Sequence, residues 1–137
     1  MSLMKLSAQQ KNSPVGQWLG LRFLHAEDGR ALCMLKATQK HLNPMGTVHG
    51  GVFCDLADSA MGFAFMTFWT RKQKGVTVEL KMNYLKPVQA GNILYAYAFT
   101  PSQGKSIYFL ECEIRNSSQE LVAKACGTYK IVKGRSD

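Results

Sequence analysis

The sequence predicts an α+β fold in which an antiparallel sheet wraps around one long central helix. Three observations predict it. Residues 52–69 form an apolar run whose only charges are Asp55 and Asp58. After Gly75 the hydrophobic period becomes two. Turn formers then recur at short intervals to the end of the chain, as in antiparallel strands joined by tight connections.

Along the chain, residues 7–19 read as a short helix broken near Pro14 and Gly16. Residues 19–25 and 30–37 read as strands flanking Ala26-Glu27-Asp28-Gly29, because Asp-Gly supplies the positive φ angles a hairpin turn needs. The stretch 38–48 carries Asn43-Pro44 and Gly46 and reads as a loop. A helix over residues 50–68, apolar nearly all round, must be buried on most sides. In the next strand Val76, Val78, Leu80, Met82 and Tyr84 are expected on one face, with Thr77, Glu79, Lys81 and Asn83 on the other. Further strands are expected at 93–100, 106–115 and 121–132. In the last of them Ala123, Ala125 and Gly127 share a face narrow enough for close helix packing.

With 137 residues, 46% of them hydrophobic, the chain suffices for one core, and a single domain over 1–137 is expected. Met1-Ser2-Leu3 ahead of Met4 is compatible with a vector-derived extension, and residues 1–13 are a polar leading segment without a signal-peptide core. Two aspartates in the apolar run, each costing about 2.5–3.5 kcal/mol at a bilayer centre, argue against membrane insertion. Cys33, Cys54, Cys112 and Cys126 lack Cys-x-x-Cys spacing and read as reduced core thiols of a cytoplasmic protein. His25, His41 and His49 show no metal-ligand spacing, so no metal is expected. The net charge is +8, but the basic residues are scattered. The densest run, Arg71-Lys72-Gln73-Lys74, reads as a solvated loop, and no nucleic-acid motif accompanies it.

The chemistry concentrates between Asn43 and Asp58. His49-Gly50-Gly51 opens the helix, so its first N–H groups are unshielded and the helix dipole adds positive potential there. That suits a carbonyl oxygen gathering negative charge. A carboxylate deeper in the same helix is a candidate base, and the residues alone leave Asp55 and Asp58 both open. Donors for an oxyanion and a carboxylate base are what a hydrolase of activated acyl groups needs. Gly50 and Asp58 are eight residues apart. That is ~12 Å along a helix axis, so one helix cannot aim both at one carbonyl. If both act on one substrate, two copies of the chain must supply them.

Asn43, His49-Gly50-Gly51 six residues on, Asp58 nine residues beyond the His, and Tyr84-Leu85-Lys86-Pro87 together resemble the PaaI-like hotdog-fold acyl-CoA thioesterases. The strand from Gly75 and the closing strands extend the resemblance over most of the chain. It implies the hotdog fold and hydrolysis of an acyl-CoA without metal or organic cofactor. It makes Asp58 the general base and Gly50 the oxyanion donor. Asn43 and His49, with Gly51, orient the thioester, and Thr77 holds the attacking water. It also implies a homodimer with composite sites, commonly paired into a homotetramer. A basic chain also suits the polyanionic coenzyme A by steering. Two rivals remain. A hotdog hydratase carries an acid just ahead of Asn-Pro, where this chain has His41-Leu42. A non-catalytic acyl-CoA-binding module is opposed by the presence of both Asp58 and Thr77.

Overall fold

The computed structural model describes residues 2–11, 13–70 and 72–133. Met1 and Arg71, named above, lie outside the described residues. The elements run α1 (Leu3–Lys11), α2 (Pro14–Leu19), β1 (Arg22–Glu27), β2 (Arg30–Lys36), a 3₁₀ turn (Gln39–His41), α3 (Gly50–Met66), β3 (Gln73–Tyr84), β4 (Ile93–Gln103), β5 (Ile107–Arg115) and β6 (Leu121–Lys133). All strands join one antiparallel sheet in the order β1-β2-β4-β5-β6-β3, and α3 packs against every strand. This is the hotdog fold.

The early segment differs in detail from the expected single helix. α1 begins at Leu3, and the break falls before Pro14, whose fixed φ and missing N–H suit the first turn of α2. Ser13 caps that turn by accepting from the Gly16 N–H at 3.2 Å. Leu19 ends α2, so the first strand starts at Arg22. The β1–β2 connection is the expected two-residue turn, with Asp28 and Gly29 at φ 48° and 76° and Glu27 paired to Arg30. The run at 71–74 is only partly loop, because Gln73 and Lys74 already belong to β3.

α3 buries Phe53, Leu56, Ala57, Ala60, Met61, Ala64 and Phe65 against the sheet. Ala123, Ala125 and Gly127 of β6 face it, and a Cβ on Gly127 would lie 3.4 Å from the Met61 methyl group. One stripe of α3 remains uncovered, along Gly51, Asp55, Asp58, Gly62 and Met66. Their spacing of three to four residues places them on one face. Both aspartates therefore escape the cost of an unpaired charge in the core.

The expected faces of β3 need correction. A bulge between Thr77 and Glu79 leaves Val78 without a partner on β6. The inserted residue shifts the alternation by one. Leu80 and Met82 pack inward as expected, but before the bulge it is Gly75 and Thr77 that face α3, although Thr77 stays exposed. Val76 and Val78 are instead about half exposed, at 47% and 59%. Thr77 thereby leaves the face of Glu79, Lys81 and Asn83 and turns toward α3.

Candidate functional site

The sequence-nominated residues fall into two groups that line separate cavities. Asp58 and Thr77 line one, of about 330 Å³, with Ser59, Gly62, Met66 and Trp69. Asn43, His49, Gly50 and Gly51 line the other, of about 530 Å³, with Phe53 and Tyr84. No lining residue is shared. One chain thus does not bring Asp58 and Gly50 to a common point.

In the first cavity the Asp58 carboxylate is held through one oxygen. The Thr77 hydroxyl donates to Oδ1 at 2.8 Å and the Tyr129 hydroxyl donates to the same atom at 2.7 Å. Among the described residues nothing donates to Oδ2. The bulge in β3 aims Thr77, and β6 supplies Tyr129, which is buried. Burial first, and then the negative charge of Asp58, push the Tyr129 phenol far above its ordinary range. Its proton therefore stays in place, and Tyr129 is a fixed donor. Sequence reading missed this residue. Tyr129 lies 71 positions from Asp58 and on the inward face of its strand, where it reads as ordinary core.

Asp55 is one turn earlier on the same stripe. Its carboxyl is held above the usual carboxylate range, first by partial burial and then by the charge of Asp58. No hydrogen-bond donor among the described residues holds it, in contrast to Asp58.

The second cavity is built from backbone. His49 is the N-cap of α3, and its Nδ1 accepts from the Gly51 N–H at 2.9 Å. The His49 carbonyl accepts from Val52 N–H at 3.0 Å, and the Gly50 carbonyl accepts from the Tyr84 hydroxyl at 2.9 Å. None of the described residues accepts from the Gly50 N–H. It is the unused donor at the positive end of the helix dipole. Tyr84 also touches Cys54, whose Sγ lies 3.4 Å from the hydroxyl. That hydrogen bond first, then partial burial and the Cys54 charge, push the Tyr84 phenol up to about 12. The motif contained Tyr84, but its hold on Gly50 was not legible from spacing.

Asn43 shapes the loop ahead of the helix. Its Oδ1 accepts from the N–H groups of Met45 at 3.0 Å and Thr47 at 3.2 Å, and its Nδ2 donates to Thr47 Oγ1 at 3.0 Å. One Nδ2 hydrogen remains for a ligand. The loop is anchored by His41, 2% exposed. Its Nδ1 accepts from the Thr38 N–H at 2.9 Å and its Nε2 donates to the Leu19 carbonyl at 2.8 Å. The His41 carbonyl in turn accepts from the His49 N–H at 2.8 Å, fixing the entry to α3.

Comparison with known proteins gives the family and supports the fold. The family model of the thioesterase superfamily matches residues 45–123. Acyl-coenzyme A thioesterase 13 of Homo sapiens is 28% identical over 98 residues, 72% of this chain and 69% of that protein. The PaaI protein of E. coli, from the phenylacetic acid degradation operon, superposes with a TM-score of 0.87 at 28% identity, covering 97% of this chain and 98% of that one. A hypothetical thioesterase of Streptococcus pneumoniae TIGR4, solved with coenzyme A, superposes with a TM-score of 0.77 at 26% identity, covering 85% and 88%.

Proposed function

We infer the reaction from a premise those comparisons supply, that this chain belongs to the thioesterase superfamily as a PaaI-like hotdog thioester hydrolase. The reaction is hydrolysis of an acyl-CoA to a free acid and coenzyme A. The observation that carries the mechanism is the pair of unsatisfied groups, Asp58 Oδ2 and the Gly50 N–H. One is a free base oxygen and the other a free oxyanion donor. A coenzyme A complex of a similar structure supports the leaving group.

Asp58 Oδ2 takes a proton from water as the water oxygen attacks the thioester carbonyl carbon. The carbonyl oxygen becomes an oxyanion and is met by the Gly50 N–H, a donor whose removal typically costs about 2.7–4 kcal/mol of transition-state stabilisation. The remaining Asn43 Nδ2 hydrogen and the His49 ring orient the same oxygen, and Gly51 keeps the approach clear of side chains. Thr77 holds Asp58 and the adjoining water. When the carbon–sulfur bond breaks, the thiolate leaves and recovers the proton from Asp58. Water, one carboxylate and fixed donors complete the proton balance, so the reaction uses no metal or organic cofactor and withstands a chelator. Four free cysteines support a reducing, cytoplasmic compartment, and no helix among the described residues is long and apolar enough to cross a membrane.

The separation of the two cavities supports a composite site in a two-fold homodimer. Each site then takes Gly50, Asn43 and His49 from one protomer and Asp58 and Thr77 from its partner, with dimers pairing into tetramers. Mixed dimers test this. Asp58→Asn removes the base and Gly50→Pro removes the donor, and each variant alone is expected to be nearly inactive. A Cβ on Gly50 would lie 2.9 Å from the Tyr84 hydroxyl, so the control is that each variant alone still folds and dimerises. In a heterodimer one site carries both lesions and the other neither, so up to about half the wild-type activity per dimer returns. Well-folded heterodimers that stay inactive overturn the composite site. Absence of thiol release from every member of a broad acyl-CoA panel overturns the reaction itself and favours a binding module.

A further inference from the structure

Gly62 occupies the middle of α3 without any local need for glycine. Its φ is not positive, and a Cβ built there meets nothing within 4 Å. Alanine at this point would fit and would strengthen the helix, since glycine is a poor helix former. The other glycines in contact with this region behave differently. A Cβ on Gly75 would lie 2.1 Å from the Phe65 ring, and one on Gly127 would lie 2.8 Å from the Tyr129 ring. Those two are required by packing. Gly62 is required by nothing inside the chain.

What Gly62 does border is space. It sits one turn beyond Asp58 on the uncovered stripe and lines the same cavity. From Asp58 the cavity follows the helix face over Gly62 to Met66 and Trp69, and Gly75, Val76 and Thr77 of β3 line it from the strand side. Its walls beyond Asp58 and Thr77 are apolar except for Gln9, Ser13, Ser59 and the Trp69 Nε1, unpartnered among the described residues, and its volume of about 330 Å³ lies at the small end of the range for ligand pockets. Eight residues separate Asp58 from Met66. On a helix that is ~12 Å, or roughly ten bonds of an extended chain.

We propose that this cavity is the acyl channel, that Gly62 is the specificity-determining residue that keeps it open, and that the acyl group is an unbranched apolar chain of about eight to ten carbons. The proposal rests on the thioesterase reading above and adds to it the length and character of the acyl group. A carbonyl placed against Asp58 can direct its chain along this groove, because the groove starts at Asp58 and is largely apolar. Each methylene that enters is removed from water, so the specificity constant rises by roughly fourfold per carbon until the chain reaches Trp69. A side chain on Gly62 would point into that path and stop the chain about one turn from Asp58.

The test is a chain-length series, from butanoyl-CoA to decanoyl-CoA, on the wild type, Gly62→Ala and Gly62→Leu. Wild type should prefer decanoyl-CoA to butanoyl-CoA. Gly62→Leu should lower the decanoyl-to-butanoyl ratio of kcat/KM by about 50-fold or more while butanoyl-CoA turnover stays within about threefold, with Gly62→Ala between the two. The change in ratio is the decisive readout, because damage to the helix or to a dimer contact lowers both substrates together. An equal fall for both, especially with loss of the dimer on sizing, overturns the proposal and makes Gly62 a point of contact between protomers. An unchanged ratio also overturns it. Dissociation constants of the two thioesters, measured in an Asp58→Asn background, separate this inference from the reaction it rests on. A wild-type chain without turnover refutes the hydrolase. A binding ratio that Gly62→Leu leaves unaltered refutes the channel.

Discussion

The two cavities are built from different materials. Around Asp58 the work is done by side chains, Thr77 from β3 and Tyr129 from β6 converging on one carboxylate oxygen. Around Gly50 it is done by main chain, with His49 and Tyr84 fixing the neighbouring peptide and leaving one N–H free. A side-chain site is removable atom by atom through isosteric substitution. A backbone donor resists every substitution except proline, and changes around it alter only its aim. Strand β3 serves both, with Thr77 before its bulge and Tyr84 at its end.

The largest effect is expected at the base. Asp58→Asn keeps the shape of the carboxylate but cannot accept the proton, so kcat should fall by about 10²–10⁴-fold. KM should change little, because Asn keeps the shape of the carboxylate and the two hydroxyls that hold Oδ1. Thiol release under saturating acyl-CoA measures it. A fall below tenfold would place the base elsewhere.

Tyr129→Phe and Thr77→Val come next. Each removes one donor from Oδ1 while preserving volume, and each should lower kcat by roughly tenfold, the scale of one charge-assisted hydrogen bond of about 1.5–3 kcal/mol only partly expressed in the transition state. The pair should be non-additive, because the remaining hydroxyl can still fix the carboxylate. On the donor side Tyr84→Phe should cost less, a few-fold in kcat with KM nearly unchanged, since His49 still caps the turn and the Gly50 N–H itself survives. If Tyr84→Phe proved more damaging than Tyr129→Phe, the contrast between a side-chain half and a backbone half would fail.

Much of this was legible in the sequence, for reasons that are local. The Asp28-Gly29 hairpin, the apolar helix from Gly50 and the eight-residue separation of Gly50 from Asp58 depend on short-range geometry, and the structure shows all three. The face of Thr77 was not legible, because a bulge is a property of pairing with β6 and leaves no mark in the alternation of Val76 and Val78. Tyr129 was hidden for a related reason. Its partner lies 71 residues away, and register between distant segments sets the contact. The vacancy beside Gly62 required the assembled cavity, since a helical glycine alone reads only as a weak point costing roughly 1 kcal/mol against alanine.

The smallest effect sharpens the comparison most closely, because it sets Asp55 against Asp58 on a single stripe. Asp55→Asn should leave turnover within about threefold of wild type, as no described donor holds Asp55 and the cavity of Asp58 does not include it. Its influence falls on stability. The folded chain holds the Asp55 carboxyl above its ordinary value of 3.8, first through burial and then through Asp58. A raised carboxyl favours the protonated form in the fold, so its contribution is complete below the unfolded pKa and is lost as pH rises through the folded one. At pH 7 the ionised Asp55 therefore opposes folding, and Asn removes that opposition. Thermal melts should show the variant slightly more stable than wild type at pH 7, by less than about 1 kcal/mol given its exposure, and the difference should vanish near pH 3. A variant destabilised at pH 7 would mean that Asp55 has a partner across the proposed dimer. A collapse of kcat matching that of Asp58→Asn would mean that the base sits one turn earlier on the helix.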